Sequence, residues 1–84
     1  MDKAKFIYKK NDYNAYDAQR IVFEACKYKS EIMVEGGGKR ANAKSIIGLV
    51  SMKFVGGEEY IVAAEGQDGK AAASAVAKFI AELN

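Results

Sequence analysis

Residues 42–52, Asn-Ala-Lys-Ser-Ile-Ile-Gly-Leu-Val-Ser-Met, set the hydroxyl of Ser45 at the mouth of a short apolar helix. A hydroxyl there can accept a phosphoryl group, and a helix N-terminus tolerates added negative charge better than other positions. The chain contains no histidine, which removes the commonest general base and phosphoryl acceptor. Its one cysteine, Cys26, has no imidazole to activate it and no partner for an internal disulfide. Cys26 therefore reads as a helix residue with a share in the core, and a lone cysteine fits a reducing compartment. Gly36, Gly37 and Gly38 before Lys39 superficially suggest a phosphate-binding loop, but Arg40 stands where Ser or Thr is required. A hairpin turn is the better reading. No group of Cys, Asp and Glu has metal-ligand spacing, so neither a metal nor a cofactor is expected.

These groups need elements to position them. Eighty-four residues, half of them apolar and none of them proline, imply a single domain over residues 1–84 with one small core. Thirteen basic against eleven acidic residues, scattered as Lys9 and Lys10, Lys27 and Lys29, and Lys39 and Arg40, read as solvated surface. They do not form a nucleic-acid site. Nothing resembles a signal peptide or approaches membrane-spanning length, so a soluble cytoplasmic protein is expected.

Alternation predicts a strand over 3–9, turn chemistry over 11–14, and a helix capped by Asn14 that ends near Tyr28. That helix turns Ala18, Ile21, Val22 and Ala25 inward. Strands follow over 31–35 and 39–42, joined by the three glycines. A short helix covers 45 to 52 or 53, and a fourth strand covers 59–64. Asp68 is placed to cap a last helix over 70–83, with Ala72, Val76, Phe79, Ile80 and Leu83 as its buried stripe. The order βαββαβα predicts a two-layer α+β sandwich, with strand order left open by pattern alone.

Ala25-Cys26-Lys27-Tyr28, Gly38-Lys39, the run 42–52, and Gly66 with Asp68 before an alanine-rich helix together resemble HPr. HPr is the small phosphocarrier of the bacterial phosphoenolpyruvate-dependent sugar phosphotransferase system. The resemblance implies an open-faced sandwich of four antiparallel strands in the order one-four-two-three, covered on one side by three helices. The family's active-site motif is glycine, an apolar residue, histidine, alanine, arginine, proline, alanine. Residues 12–18 stand in its place, and only Ala15 and Ala18 match. Asn14 occupies the position of the phosphorylated histidine, Tyr16 that of the arginine and Asp17 that of the proline.

An amide nitrogen is not a nucleophile, and Asp17 adds a negative charge that should repel an arriving phosphoryl group. Carrier chemistry is therefore not expected. Ser45 matches the serine that, in Gram-positive relatives, an HPr kinase/phosphorylase modifies to make a corepressor for a catabolite-control transcription factor. A histidine-free branch, the catabolite repression HPr-like proteins, keeps only that regulatory function, and its Asn-Ala-Lys-Ser run looks like residues 42–45. The plain alternative for Ser45 is an ordinary N-cap. The resemblance further implies an apolar docking patch at Ile46, Ile47 and Val50, and Ala15, Ala18, Ile47 and Val50 are the expected contacts for that repressor or the phosphotransferase enzymes. Ile47 is the preferred surface contact, whereas Ile46 and Leu49 read as core. Tyr13 and Tyr16 read either as recognition aromatics or as packing at the start of the helix.

Overall fold

The computed structural model describes residues 1–84. The elements run β1 (Asp2–Ile7), α1 (Ala15–Ala25), β2 (Glu31–Gly36), β3 (Lys39–Asn42), α2 (Ile46–Met52), β4 (Glu59–Glu65) and α3 (Gly69–Ala81). The four strands form one antiparallel sheet in the order β1-β4-β2-β3, the order that the family resemblance implies.

Each element follows from local chemistry. β1 alternates, with Phe6 buried while Lys3, Lys5 and Ile7 face out. It stops at Ile7, short of the predicted residue 9. Tyr8 still pairs irregularly with the chain before β4, its N–H donating to Glu58 O at 3.0 Å. α1 starts in a capping box: Asp17 N–H donates to Asn14 Oδ1 at 2.9 Å, and Asn14 N–H donates to Asp17 Oδ2 at 3.2 Å. The helix ends at Ala25, three residues before Tyr28. Cys26 is its C-cap and is exposed, so it is not a core residue.

Gly37 and Gly38, at φ 60° and 75°, make the two-residue turn that joins β2 to β3. Both central positions of such a turn need the left-handed region, which glycine enters without penalty. β4 lies between β1 and β2 and carries the buried Tyr60, Val62, Ala63 and Ala64. α3 buries Ala72, Ala73, Val76, Ala77 and Ile80, while Phe79 is only partly buried. With Ile21, Ile32, Val34 and Leu49 these form one core, in which each large aliphatic side chain contributes about 1.5–3 kcal/mol of burial energy.

Asp68 does not cap α3 through its side chain. Its carboxylate instead accepts the Lys29 N–H at 2.8 Å, the Ser30 N–H at 2.9 Å and the Ser30 hydroxyl. Those bonds, the Ser30 hydroxyl's first, hold the Asp68 carboxyl below its usual range. The buried Ser30 leaves no room for a Cβ at Gly66, where one would lie 2.6 Å from Ser30 Oγ. Two connections far apart in sequence are thereby clasped together.

α2 ends with Lys53 at φ 49° and ψ 58°, the one residue other than glycine in the left-handed region. Glycine is the usual occupant of that position. Lys53→Gly is expected to raise stability by about 0.5 kcal/mol. Relief of the left-handed penalty, about 1 kcal/mol, is partly cancelled by glycine's larger unfolded-state entropy. A higher midpoint in urea denaturation checks it, and a lower one would mean that the lysine stem contributes packing.

Candidate functional site

The start of α1 and the end of α2 meet over a cluster of rings centred on Phe54. Its centroid lies 4.7 Å from that of Tyr60, 4.9 Å from Tyr13 and 5.3 Å from Tyr8, and each such pair contributes about 0.5–1.5 kcal/mol beyond burial. The hydroxyls find partners: Tyr13 donates to Leu49 O at 2.6 Å, Tyr8 donates to Asp12 O at 2.7 Å, and Tyr60 accepts from Val55 N–H at 2.9 Å. Burial, with the nearby Asp17 and Asp12 carboxylates, pushes the Tyr8 hydroxyl up to about 12. Burial also raises that of Tyr13. Tyr13 is thus a packing residue that ties α1 to α2, whereas Tyr16 is exposed and stacks under the Arg20 guanidinium, 5.1 Å from its ring centre. Phe54 carries no signal in the sequence because it lies between elements, where no periodicity marks it.

Above the rings is an open depression of about 490 Å³, lined in part by Asn14, Ala15, Val50 and Lys53. Asn14 is exposed, but its Oδ1 is engaged by the cap, so the side chain at the former nucleophile position serves the helix. Asp17 departs from expectation. Its side chain is 1% exposed, and Oδ1 receives Arg20 Nη2 at 2.8 Å and Lys10 Nζ at 3.1 Å. Burial raises its pKa, but the bonds from Arg20, Lys10 and the Asn14 N–H outweigh that and hold the carboxyl below its usual value. The negative charge expected to repel an anion is therefore answered by two cations. Lys10 belongs to this network and is not simple solvated surface. The one sequence signal is the Asp17–Arg20 spacing of three, which places the two on one helix face. Lys10 gives none. Arg20 Nε is buried with no partner.

The docking residues divide. Ala15 and Val50 are exposed and line the same depression, and Ile47 is 78% exposed. Ala18 is fully buried beneath α1, so it cannot touch a partner. Ile46, read as core, is exposed, while Leu49 is buried as expected. A seven-residue helix lying on the sheet buries one stripe, and here that stripe is Leu49 and Met52.

Ser45 is the N-cap of α2, extended at φ −111° and ψ 114°, its Oγ accepting the Gly48 N–H at 3.2 Å. It is half-buried, one residue from Ile46 and two from Ile47. The neighbouring ammonium of Lys44 is turned away, donating to Tyr28 O at 2.7 Å. Ser51 is exposed and bonds back to Ile47 O.

An antiparallel sandwich in the order one-four-two-three, with one helix starting at Asn14 and a second capped by Ser45, defines a small phosphocarrier-type scaffold. The family described as PTS HPr component phosphorylation site matches residues 5–82, and the chain belongs to this HPr family. Within it the similar proteins include both HPr-like proteins named Crh and phosphocarrier HPr proteins. The HPr-like protein Crh of Halalkalibacterium halodurans is 39% identical over 71 residues, covering 84% of each chain. The crystal structure of Crh, the Bacillus subtilis catabolite repression containing protein, superposes with a TM-score of 0.77 at 36% identity. That match covers 87% of this chain and 84% of the other. HPr-C-His from Thermoanaerobacter tengcongensis gives a TM-score of 0.84 at 34% identity, covering 95% and 91%. No helix is long and apolar enough to cross a membrane.

Proposed function

We propose that this chain is a regulatory HPr-like protein without phosphocarrier chemistry, switched by phosphorylation of Ser45. The observation that carries the reading is the contrast between the two helix starts. Asn14 offers no nucleophile and its carbonyl is engaged by its own helix. Ser45 presents a hydroxyl beside the exposed Ile46 and Ile47. Phosphate on Ser45 adds roughly −2 charge at a helix start, where the macrodipole favours it by about 0.3–1 kcal/mol. The fold should persist while the surface offered to partners changes. The name that Crh carries, a catabolite repression protein, supports a corepressor or protein-ligand role for its relative here. On this reading the modifying enzyme is an HPr kinase/phosphorylase and the partner a catabolite-control transcription factor.

Incubation with such a kinase and ATP is expected to place one phosphate on Ser45, located by mass spectrometry, and none on Ser45→Ala. An unmodified protein, under conditions that phosphorylate a histidine-bearing HPr, would exclude the proposal.

A second reading rests on Ala15, Ile47 and Val50, whose exposure owes nothing to Ser45. Through them the chain would dock on sugar phosphotransferase enzymes as a competitor or allosteric ligand. Ser45→Ala separates the two, since docking survives it and phosphorylation-dependent repressor binding does not.

A further inference from the structure

β1 is the outermost strand of the sheet on one side, so one of its edges has no neighbour. Tyr8 turns both its N–H and its C=O toward the chain leading into β4. Backbone direction alternates along an antiparallel strand, so Ala4 and Phe6 do the same, and Lys3, Lys5 and Ile7 turn their peptide groups outward. The opposite edge, β3, has four residues to the six of β1.

Along this free edge runs a groove of about 520 Å³ between β1 and α3. Ser74, Ala77 and Ala81 of α3 supply a low wall, and the exposed Ile7 lies on the strand side. Lys5, Lys9 and Lys78 line it, and none of the three has a carboxylate within ion-pair distance, although Glu59 also lines the groove. Three cations against one anion leave the groove positive. It shares no residue with the depression beside Asn14.

We propose that the free edge of β1, with the adjoining flank of α3, receives an extended acidic segment of a partner protein as a fifth strand. The main chain of that segment pairs with the outward peptide groups of Lys3, Lys5 and Ile7, as in strand addition generally. Its carboxylates meet Lys5, Lys9 and Lys78, and short side chains fit against Ala77 and Ala81. Lysines on an edge also guard against unwanted pairing between sheets. Guarding alone accounts for Lys3 and Lys5. It does not account for Lys78, which comes from a helix and completes the charge on the groove's far side.

The test uses the labelled full chain and a short blocked peptide of glutamate and alanine ordered so that carboxylates fall on both faces of the extended strand, followed by amide chemical shifts. The expected result is perturbation of Lys3, Lys5 and Ile7 and of the α3 flank. Binding should weaken about tenfold or more when alternate peptide amides are N-methylated, since the edge bonds are lost. The double variant Lys5→Gln/Lys78→Gln should weaken it similarly, with shifts elsewhere unchanged. Equal binding of the methylated peptide would overturn the proposal in favour of plain charge attraction. So would shifts centred on α1 and α2, or pairing of two copies through β1 with no peptide bound.

Discussion

Asparagine in place of Asp17 is expected to lower stability by about 3 kcal/mol, because removing one partner of a buried ion pair strands the others. The introduced amide would keep one acceptor but turn its N–H₂ toward Arg20 or Lys10, donor against donor. Arg20 and Lys10 are 26% and 18% exposed, so they can partly recover water. That places the loss at the lower end of the range for such pairs. For a domain of this size the melting temperature should fall by roughly 15 °C. The pH dependence gives an independent check. The Asp17 carboxyl is held below its ordinary value in the folded state, so the unfolded chain takes up the proton first. Its contribution is complete above about pH 4 and is lost as pH falls through the folded value. Asp17→Asn should therefore flatten the acid side of the stability profile, leaving the slope due to Asp68, whose carboxyl is also held low. An unchanged acid profile would mean that the network is a bystander.

On the proposed reading, Ile47→Ser is expected to leave the fold intact and to weaken partner docking by about 2 kcal/mol, roughly thirtyfold. Ile47 is the most exposed large apolar side chain of the molecule. Its removal from the surface uncovers no core, and stability should change by only about 0.5 kcal/mol. Serine is chosen because it adds no charge beside Ser45. Titration calorimetry of the phosphorylated protein against the catabolite-control factor measures the first quantity, and urea denaturation measures the second. A loss of affinity matched by a loss of stability would place Ile47 in the fold and not in the interface.

The sequence reveals its elements where periodicity is long enough to average over errors. α3, thirteen residues with Ala72, Val76 and Ile80 in register, is legible nearly to its ends. α2 is legible as a helix, but seven residues cannot rank its faces, and so pattern alone misplaces Ile46 in the core. Ala18 reads both as part of the inward stripe and as a contact, and the stripe prevails because helix geometry fixes where its Cβ points. For Asp68 the local rule is side-chain capping. Tertiary competition wins instead, since the Lys29 and Ser30 amides and the Ser30 hydroxyl take up its carboxylate. The charge-paired Asp17 is illegible for a related reason, because turn chemistry over 11–14 is readable but the contact that Lys10 makes across it is not. Strand order comes from the family resemblance and not from the residues themselves.

The sheet order has a consequence for how the chain assembles. Only β2 and β3 are joined by a tight local turn, and Asp2 finds its neighbour at Ala64, most of the polypeptide away. Such distant pairing slows the search for the native arrangement relative to a helical bundle of equal length. During synthesis β1 leaves the ribosome well before β4 and must wait for that partner strand. The N-terminal strand is thus made early and placed late.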